Sequence, residues 1–230
     1  MKDWTEGEDY PATTLLGRLS HECRARLAAR SRVERLSGGE LIIGEGDSDK
    51  DLFFVLSGEV RAAVFTLGGK EVAFRDIAAG DCFGEIAAID KQARVSSIIA
   101  REDMSVARLP AREFDALLET DPEFAGELLR LLAGKLRDLS HRVVEYAELT
   151  AAQRVRRELL RLARDQRSGI DAAVIANPPA QSELAAMIFA RREAVAREMA
   201  ALGRRGVIKR EGGALHIPSL RRLEAEIARD

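Results

Sequence analysis

Residues Phe83 to Ser97 read FGEIAAIDKQARVSS. A glutamate, Glu85, stands behind a glycine, Gly84, and an arginine, Arg94, follows in a setting of small and apolar residues. No His or Cys lies between the two charges. Such a Glu and Arg either pair with each other or are held ready for something else, and the texture around them decides which fold presents them.

From Gly38 to Pro110 short apolar runs alternate with turn signals. The runs are LIIGEG, LFFVLSGEVRAAVF, EVAFRDI, SSIIA and SVARL; the turns are GDSD, LSGE, LGGK and AAGD, starting at 46, 56, 67 and 78. That spacing is how an all-β sandwich or barrel reads. Phe83–Ser97 falls between two of these strands and is expected to be a loop with a short helical turn. Ahead of the β region, Leu15, Leu16, Leu19, Leu27 and Val33 mark short helices over about 15–35.

Beyond Pro110 the texture becomes helical. Asp121 can cap the first amides and Pro122 suits the first position of a helix over 121–149. Leu129, Leu132, Leu136, Leu139, Val143, Tyr146 and Thr150 follow a 3-4-3-4-3-4 spacing, an a/d seam except for its last member. A helix packed only on its own domain would show a wider stripe over a shorter length, so the seam is expected to be a dimer interface. Thr150-Ala-Ala-Gln153 matches a capping box, which ends the long helix at Leu149 and starts another at Ala151.

Charge changes sign at that break. Residues 1–149 hold 20 Lys+Arg against 28 Asp+Glu, a net of −8, whereas 150–230 hold 16 against 10, a net of +6. Two modules are expected, 1–149 and 150–230, the second able to approach a polyanion. In the second, Leu184, Ala185 and Ile188 form the inner face of a short helix beginning at Ser182-Glu183. A turn at Phe189-Ala190 leads to a helix from Arg191 to about Leu202 with Val195, Met199 and Leu202 inward. Short strands at Val207–Arg210 and Ala214–Ile217 flank Glu211-Gly212-Gly213. This is a helix-turn-helix with a β-wing. Arg192, Glu193 and Arg197 share the outward face of the second helix. Arg to guanine and Glu to cytosine are favoured major-groove pairings. Arg191, Lys209 and Arg210 suit phosphate contacts. The alternative is an i,i+4 Glu193–Arg197 pair on a solvated surface, worth only ~0.3–0.5 kcal/mol.

With 230 residues, 46% hydrophobic and 32% charged, the chain can bury real cores, and no apolar run approaches the ~20 residues of a membrane span. The N-terminal MKDWTEGEDYP lacks the apolar run of a signal peptide, and Cys23 and Cys82 lack any paired spacing, so a cytoplasmic protein without disulfides is expected. His21, His141 and His216 are scattered. No metal-ligand spacing, P-loop or nucleophile–base set is found, which argues against an enzyme and against a haem or iron–sulfur sensor.

A β-roll, a loop reading FGEIAxxxxxxR, a long dimer helix and a winged helix-turn-helix with R-E-x-V-x-R together resemble the CRP/FNR family of bacterial transcription regulators, closest to its cyclic-nucleotide-binding members of the cAMP receptor protein type. The likeness runs from about Leu15 to Leu223. It implies an α+β chain, an allosteric ligand (cAMP or cGMP) rather than a catalytic cofactor, a homodimer on a palindromic TGTGA-type site, and RNA polymerase as a partner. It also implies that Arg94 binds the ligand phosphate, that Gly84 lets the backbone approach, and that Glu85 accepts from the ribose 2′-hydroxyl. The chemistry agrees: an anion in an apolar pocket needs a permanent cation and amide donors, here Arg94 with the amides of Ile86 and Ala87. A Glu85–Arg94 structural ion pair in a regulator answering to another effector is the alternative.

Several positions depart from the family pattern. Val95 stands where binders carry a small Ser, Thr or Ala, and Ser96 can partly compensate. Ser140 matches a serine that faces the purine from the partner subunit, but Leu139 replaces a threonine that reads the adenine amino group. The base is therefore left open between cAMP and cGMP. Phe189 takes a turn position where glycine is frequent.

Overall fold

A computed structural model describes residues 10–65, 71–164, 166 and 168–228. The turn signal LGGK and nearly all of the acidic N-terminal stretch lie outside the described residues. The chain forms two compact units, Met1–Arg137 and Asp138–Asp230.

The first unit opens with α1 (Leu15–Arg18), capped by Thr14, and α2 (His21–Arg30), capped by Ser20. The helical reading through Arg35 overran. Ser31 turns extended, and Arg32–Leu36 form a strand, β1, placing Val33 in the sheet. The remaining strands here are β2 (Leu41–Ile43), β3 (Leu52–Ser57), β4 (Glu59–Phe65), β5 (Glu71–Ala78), β6 (Cys82–Phe83), β7 (Ser97–Ala100) and β8 (Met104–Leu109). β1 is held by an antiparallel ladder running from Arg32 opposite Arg108 to Leu36 opposite Met104. These cross-strand bonds, invisible in a local pattern, override the helical reading of Val33.

Two four-stranded antiparallel sheets result, ordered β1-β8-β3-β6 and β2-β7-β4-β5. The unbroken apolar run of β3 has a reason. Side chains alternate across a strand, and here both faces are covered. Leu52, Phe54 and Leu56 enter a core shared with α1 and α2, while Phe53 and Val55 enter a second core with Ile43, Val60, Phe83, Ile98 and Val106. Phe54 is fully buried, worth ~1.5–3 kcal/mol. A short helix, α3 (Glu85–Asp90), sits in the quoted stretch.

Two helices follow, α4 (Ala111–Thr120) and the long α5 (Pro122–Glu148). Asp121 caps α5, accepting from the Phe124 amide at 3.1 Å and from Arg26 Nε at 2.7 Å. Phe124, Leu128 and Leu131 are the buried side of α5. The expected seam lies elsewhere: Leu129 and Leu136 are each 66% exposed, and Leu139 and Val143 are exposed too. Leu132 is partly spent on the first core.

The second unit begins inside α5 at Asp138. It continues with α6 (Ala151–Arg164), β9 (Ala173–Ile175), α7 (Gln181–Met187), α8 (Arg192–Arg204), β10 (Lys209–Glu211), β11 (Ala214–Ile217) and α9 (Leu220–Ile227). The capping box forms: Gln153 N donates to Thr150 Oγ1 at 3.3 Å and Thr150 N to Gln153 Oε1 at 2.9 Å. The helices thus part at 149–150, while the compact units part earlier, at Arg137/Asp138. The wing strand starts later than expected. Val207 and Ile208 plug the core, and pairing begins at Lys209 opposite His216. β9 adds an unexpected third strand, pairing with β11 from Leu215 opposite Ile175.

Candidate functional site

The quoted stretch folds tightly about Arg94. β6 ends at Phe83, and Gly84 takes φ +83°, a left-handed conformation that starts α3. A Cβ here would stand 2.6 Å from Arg94 Nη1 and 3.0 Å from the Asp51 carbonyl oxygen, so both conformation and space require glycine. Arg94 is 4% exposed. Its Nη1 donates to the Gly84 carbonyl at 2.8 Å, and its Nη2 to Asp49 Oδ2 and the Asp51 carbonyl, each at 2.7 Å. Its Nε is buried with no hydrogen-bond partner. An orphaned buried donor costs ~1–3 kcal/mol, more when charged. Arg24 Nε and Arg154 Nε are left in the same way, so what distinguishes Arg94 is the orphaned donor together with the tight Gly84 turn against it.

Glu85, 5% exposed, does not pair with Arg94. Instead Lys135 Nζ, on α5, donates to Glu85 Oε1 at 2.8 Å. The two charges that raised the question of mutual pairing therefore each have a partner of their own. Burial disfavours ionisation of Asp49, but the hydrogen bond and charge of Arg94 outweigh it and hold the carboxyl below the ordinary range. Lys135 and the carboxylates Asp49 and Asp51 are the residues that sequence reasoning passed over. Their signals were present: the turn GDSDKD is dense in acid, and Lys135 is one of only six lysines beside thirty arginines.

The other expected ligand residues differ in setting. Ala87 is buried, Ile86 and Val95 are exposed, and Ser96 is half-buried. Ser97, not Ser96, turns its hydroxyl inward, accepting from the Glu45 amide at 3.1 Å. Leu139 and Ser140 belong to the second unit, both exposed on α5.

Cys23, Asp121 and Glu123 bring three potential ligand atoms within 4.8 Å of one another. Both carboxylates are already engaged, Asp121 by Arg26 and the Phe124 amide, Glu123 by the Ser20 amide and hydroxyl. Burial, then the nearby Asp121 charge, push the Cys23 thiol up to about 12. This cluster ties α2 to the start of α5.

In the second unit Leu184, Ala185, Ile188, Val195, Met199 and Leu202 are all buried, as the helix-turn-helix reading requires. Arg191, Arg192, Glu193 and Arg197 are exposed, and among the described residues no ion pair involves any of them. The anticipated alternative, a Glu193–Arg197 pair, does not form. Behind this face, buried Glu198 accepts from Arg156 Nε at 2.8 Å and from Arg205 Nη2 at 3.2 Å, which fixes the helix to α6. Phe189 sits in the turn at φ +49°, where a β-carbon is disfavoured. Its ring meets Tyr146 edge-on, centroids 5.1 Å apart. Arg142 Nη1 and Tyr146 Oη both donate to the Met187 carbonyl, at 3.2 and 3.4 Å. The tail of α5 thus clasps the turn, and Tyr146, expected in the seam, faces inward here. In the wing, exposed Lys209 pairs with Glu211 at 2.8 Å, and Arg210 is exposed without an ion pair.

Comparison with known proteins matches these two sites in order. A cyclic nucleotide-binding domain family covers residues 33–121 and a Crp-like helix-turn-helix domain family covers 153–226. The chain is 33% identical over 192 residues to the cyclic AMP receptor protein of Thermus thermophilus, covering 83% of this chain and 85% of that protein. It is 28% identical over 188 residues to the CRP-like cAMP-activated global transcriptional regulator of Mycobacterium tuberculosis, covering 80% and 83%. A solved CooA mutant from Carboxydothermus hydrogenoformans shares the fold, with a TM-score of 0.80 at 21% identity over 95% of this chain and 97% of that one. With a nucleotide-binding β-roll ahead of a DNA-binding helix-turn-helix, the chain belongs to the CRP/FNR family of transcription regulators.

Proposed function

We propose that this chain is a cyclic-nucleotide-gated regulator that binds a palindromic DNA site as a homodimer. The observation that carries this reading is the buried Arg94, whose Nε has no partner beside a glycine that nothing larger could replace. Such a cation in a small-residue loop suits the phosphate of a nucleotide, with Glu85 as acceptor for the ribose hydroxyl. The nucleotide is cAMP or cGMP and acts as an effector, not a substrate. The cAMP-linked names of two relatives support the adenine form. Leu139, which can neither donate nor accept, removes one basis for choosing between the bases.

Leu129, Leu136, Leu139 and Val143 form an exposed apolar row whose covering is a second copy of α5. Ligand would bias this seam and, through the break at 149–150, the spacing of two recognition helices. One helical turn of DNA, ~34 Å, separates the half-sites. A differential affinity of ~1–3 kcal/mol between the two states suffices for such coupling. Arg192, Glu193 and Arg197 read bases of a TGTGA-type half-site, while Arg191, Lys209 and Arg210 hold phosphates. As a transcription regulator of this kind it would act in the cytoplasm with RNA polymerase as partner.

The test is calorimetric titration of the full chain with cAMP and with cGMP, paired with binding to a TGTGA palindrome. Heat with one nucleotide and tighter DNA binding in its presence are expected. No heat with either, together with DNA binding indifferent to both, would overturn the gated reading.

A further inference from the structure

Arg94 already holds an anion that the chain itself supplies. Asp49 Oδ2 lies 2.7 Å from Arg94 Nη2, and the Asp49 side chain is 39% exposed, so it reaches a buried guanidinium from the solvent side. Asp49 comes from the β2–β3 turn, far in sequence from the Gly84 loop. Its second oxygen, Oδ1, stands 3.6 Å from Arg108 Nη2. Arg108 is itself fixed, its Nε donating to Asp51 Oδ2 at 2.6 Å and its guanidinium lying 5.4 Å from the centre of the Phe53 ring. Asp49 is thus suspended between two cations, the buried Arg94 and the partly exposed Arg108.

Resting on the nucleotide reading above, we propose that Asp49 is an internal competitor for the phosphate site and sets the affinity of the pocket. A phosphate that engages Arg94 must either displace the Asp49 carboxylate from Nη2 or share the guanidinium with it. Two like charges around one guanidinium repel strongly where water is partly excluded. Arg108 offers the displaced carboxylate a second cation a short rotation away, so exchange does not strand a charge. The apparent affinity of the pocket is consequently reduced by the fraction of time that Asp49 occupies Arg94. It also rejects weak anions, which cannot outcompete a tethered carboxylate whose effective concentration is high.

The test compares Asp49→Asn with the parent chain by two readouts. The first is calorimetric titration with cAMP and with cGMP. The second is thermal unfolding without nucleotide. Asn keeps the shape and one acceptor but loses the charge. The expected result is opposite movement: unfolding at lower temperature, because Arg94 loses its ionic partner, and nucleotide binding tighter by about tenfold or more, because the competitor is gone. A merely structural Asp49 would move both in the same direction. Asp49→Ala should repeat the gain in affinity without any side-chain acceptor. Binding by the variants where the parent shows no heat would support the proposal equally. The proposal is overturned if the parent binds and neither variant binds more tightly. If parent and variants all fail to bind either nucleotide, the pocket reading itself falls, and this inference with it. The two failures are told apart by whether the parent's titration gives heat.

Discussion

Replacing Gly84 with alanine separates two costs that the structure places at one residue. The left-handed backbone, φ +83°, penalises any β-carbon by ~1–2 kcal/mol. The added carbon would also stand 2.6 Å from Arg94 Nη1 and 3.0 Å from the Asp51 carbonyl. Neither neighbour yields freely, since Asp51 O is backbone and Arg94 is held by Gly84, Asp49 and Asp51. Losing the Arg94–Gly84 bond adds ~1.5–3 kcal/mol, the usual worth of a hydrogen bond to a charged group. Gly39 is the matched control. It has nearly the same φ, +86°, and a methyl group added there would meet nothing within 4 Å, so Gly39→Ala should cost the backbone penalty alone. Thermal unfolding of both variants under one set of conditions reads the difference, at ~2–4 °C per kcal/mol for a domain of this size. Gly84→Ala should melt several degrees below Gly39→Ala and should lose nucleotide binding, which Gly39→Ala retains. Equal melting of the two, with binding intact in both, would refute the claim that Arg94 is packed against the Gly84 backbone.

Asp121 gives a pH prediction. The Arg26 hydrogen bond, against the opposing effect of burial and with help from the Phe124 amide, holds its carboxyl below the ordinary aspartate range. A depressed folded value means stabilisation present above about pH 4 and lost as pH falls through the folded value. Asp121→Asn keeps an acceptor for the Phe124 amide but loses the charge facing Arg26. It should therefore cost ~0.5–1.5 kcal/mol at pH 7 and should flatten the acid limb of a stability–pH profile; an unchanged acid limb would contradict it. Leu136→Lys should convert a dimer to a monomer in sedimentation equilibrium, and a dimer that survives it would place the interface elsewhere. Arg192→Ala should relax preference at one base pair by ~1–3 kcal/mol, whereas Arg210→Ala should weaken all sites alike and reduce the salt slope by about one. Competition titrations over single-base operator variants distinguish the two patterns.

The parts that sequence made legible are those with a local signature. The β3 run, the capping box at Thr150 and Gln153, and the inward positions of α7 and α8 each depend on a period or a cap that neighbours along the chain establish. The short helical turn after Gly84 was legible for the same reason. What escaped depended on partners far along the chain. β1 is a strand because β8 receives it, although Val33 in isolation continued a helical pattern. β9 is a strand because β11 has a free edge. In the pocket, Gly84, Glu85 and Arg94 stood in one motif, but Asp49, Asp51 and Lys135 reach it from a turn and a helix that carry other signatures. No local pattern ties their charges to the buried groups that the fold brings beside them.

The clasp on the recognition turn bears on how this protein can be dissected. A DNA-binding fragment cut at the helix break, starting from Thr150, would discard Arg142 and Tyr146. The Met187 carbonyl would lose both donors, and Phe189, already strained at φ +49°, would lose the ring it leans on. A fragment starting at Asp138 keeps all three contacts and the Glu145 pairs to Arg157 and Arg161. Eleven residues that look like the end of a dimer helix are thus the first structural element of the portable DNA-binding module.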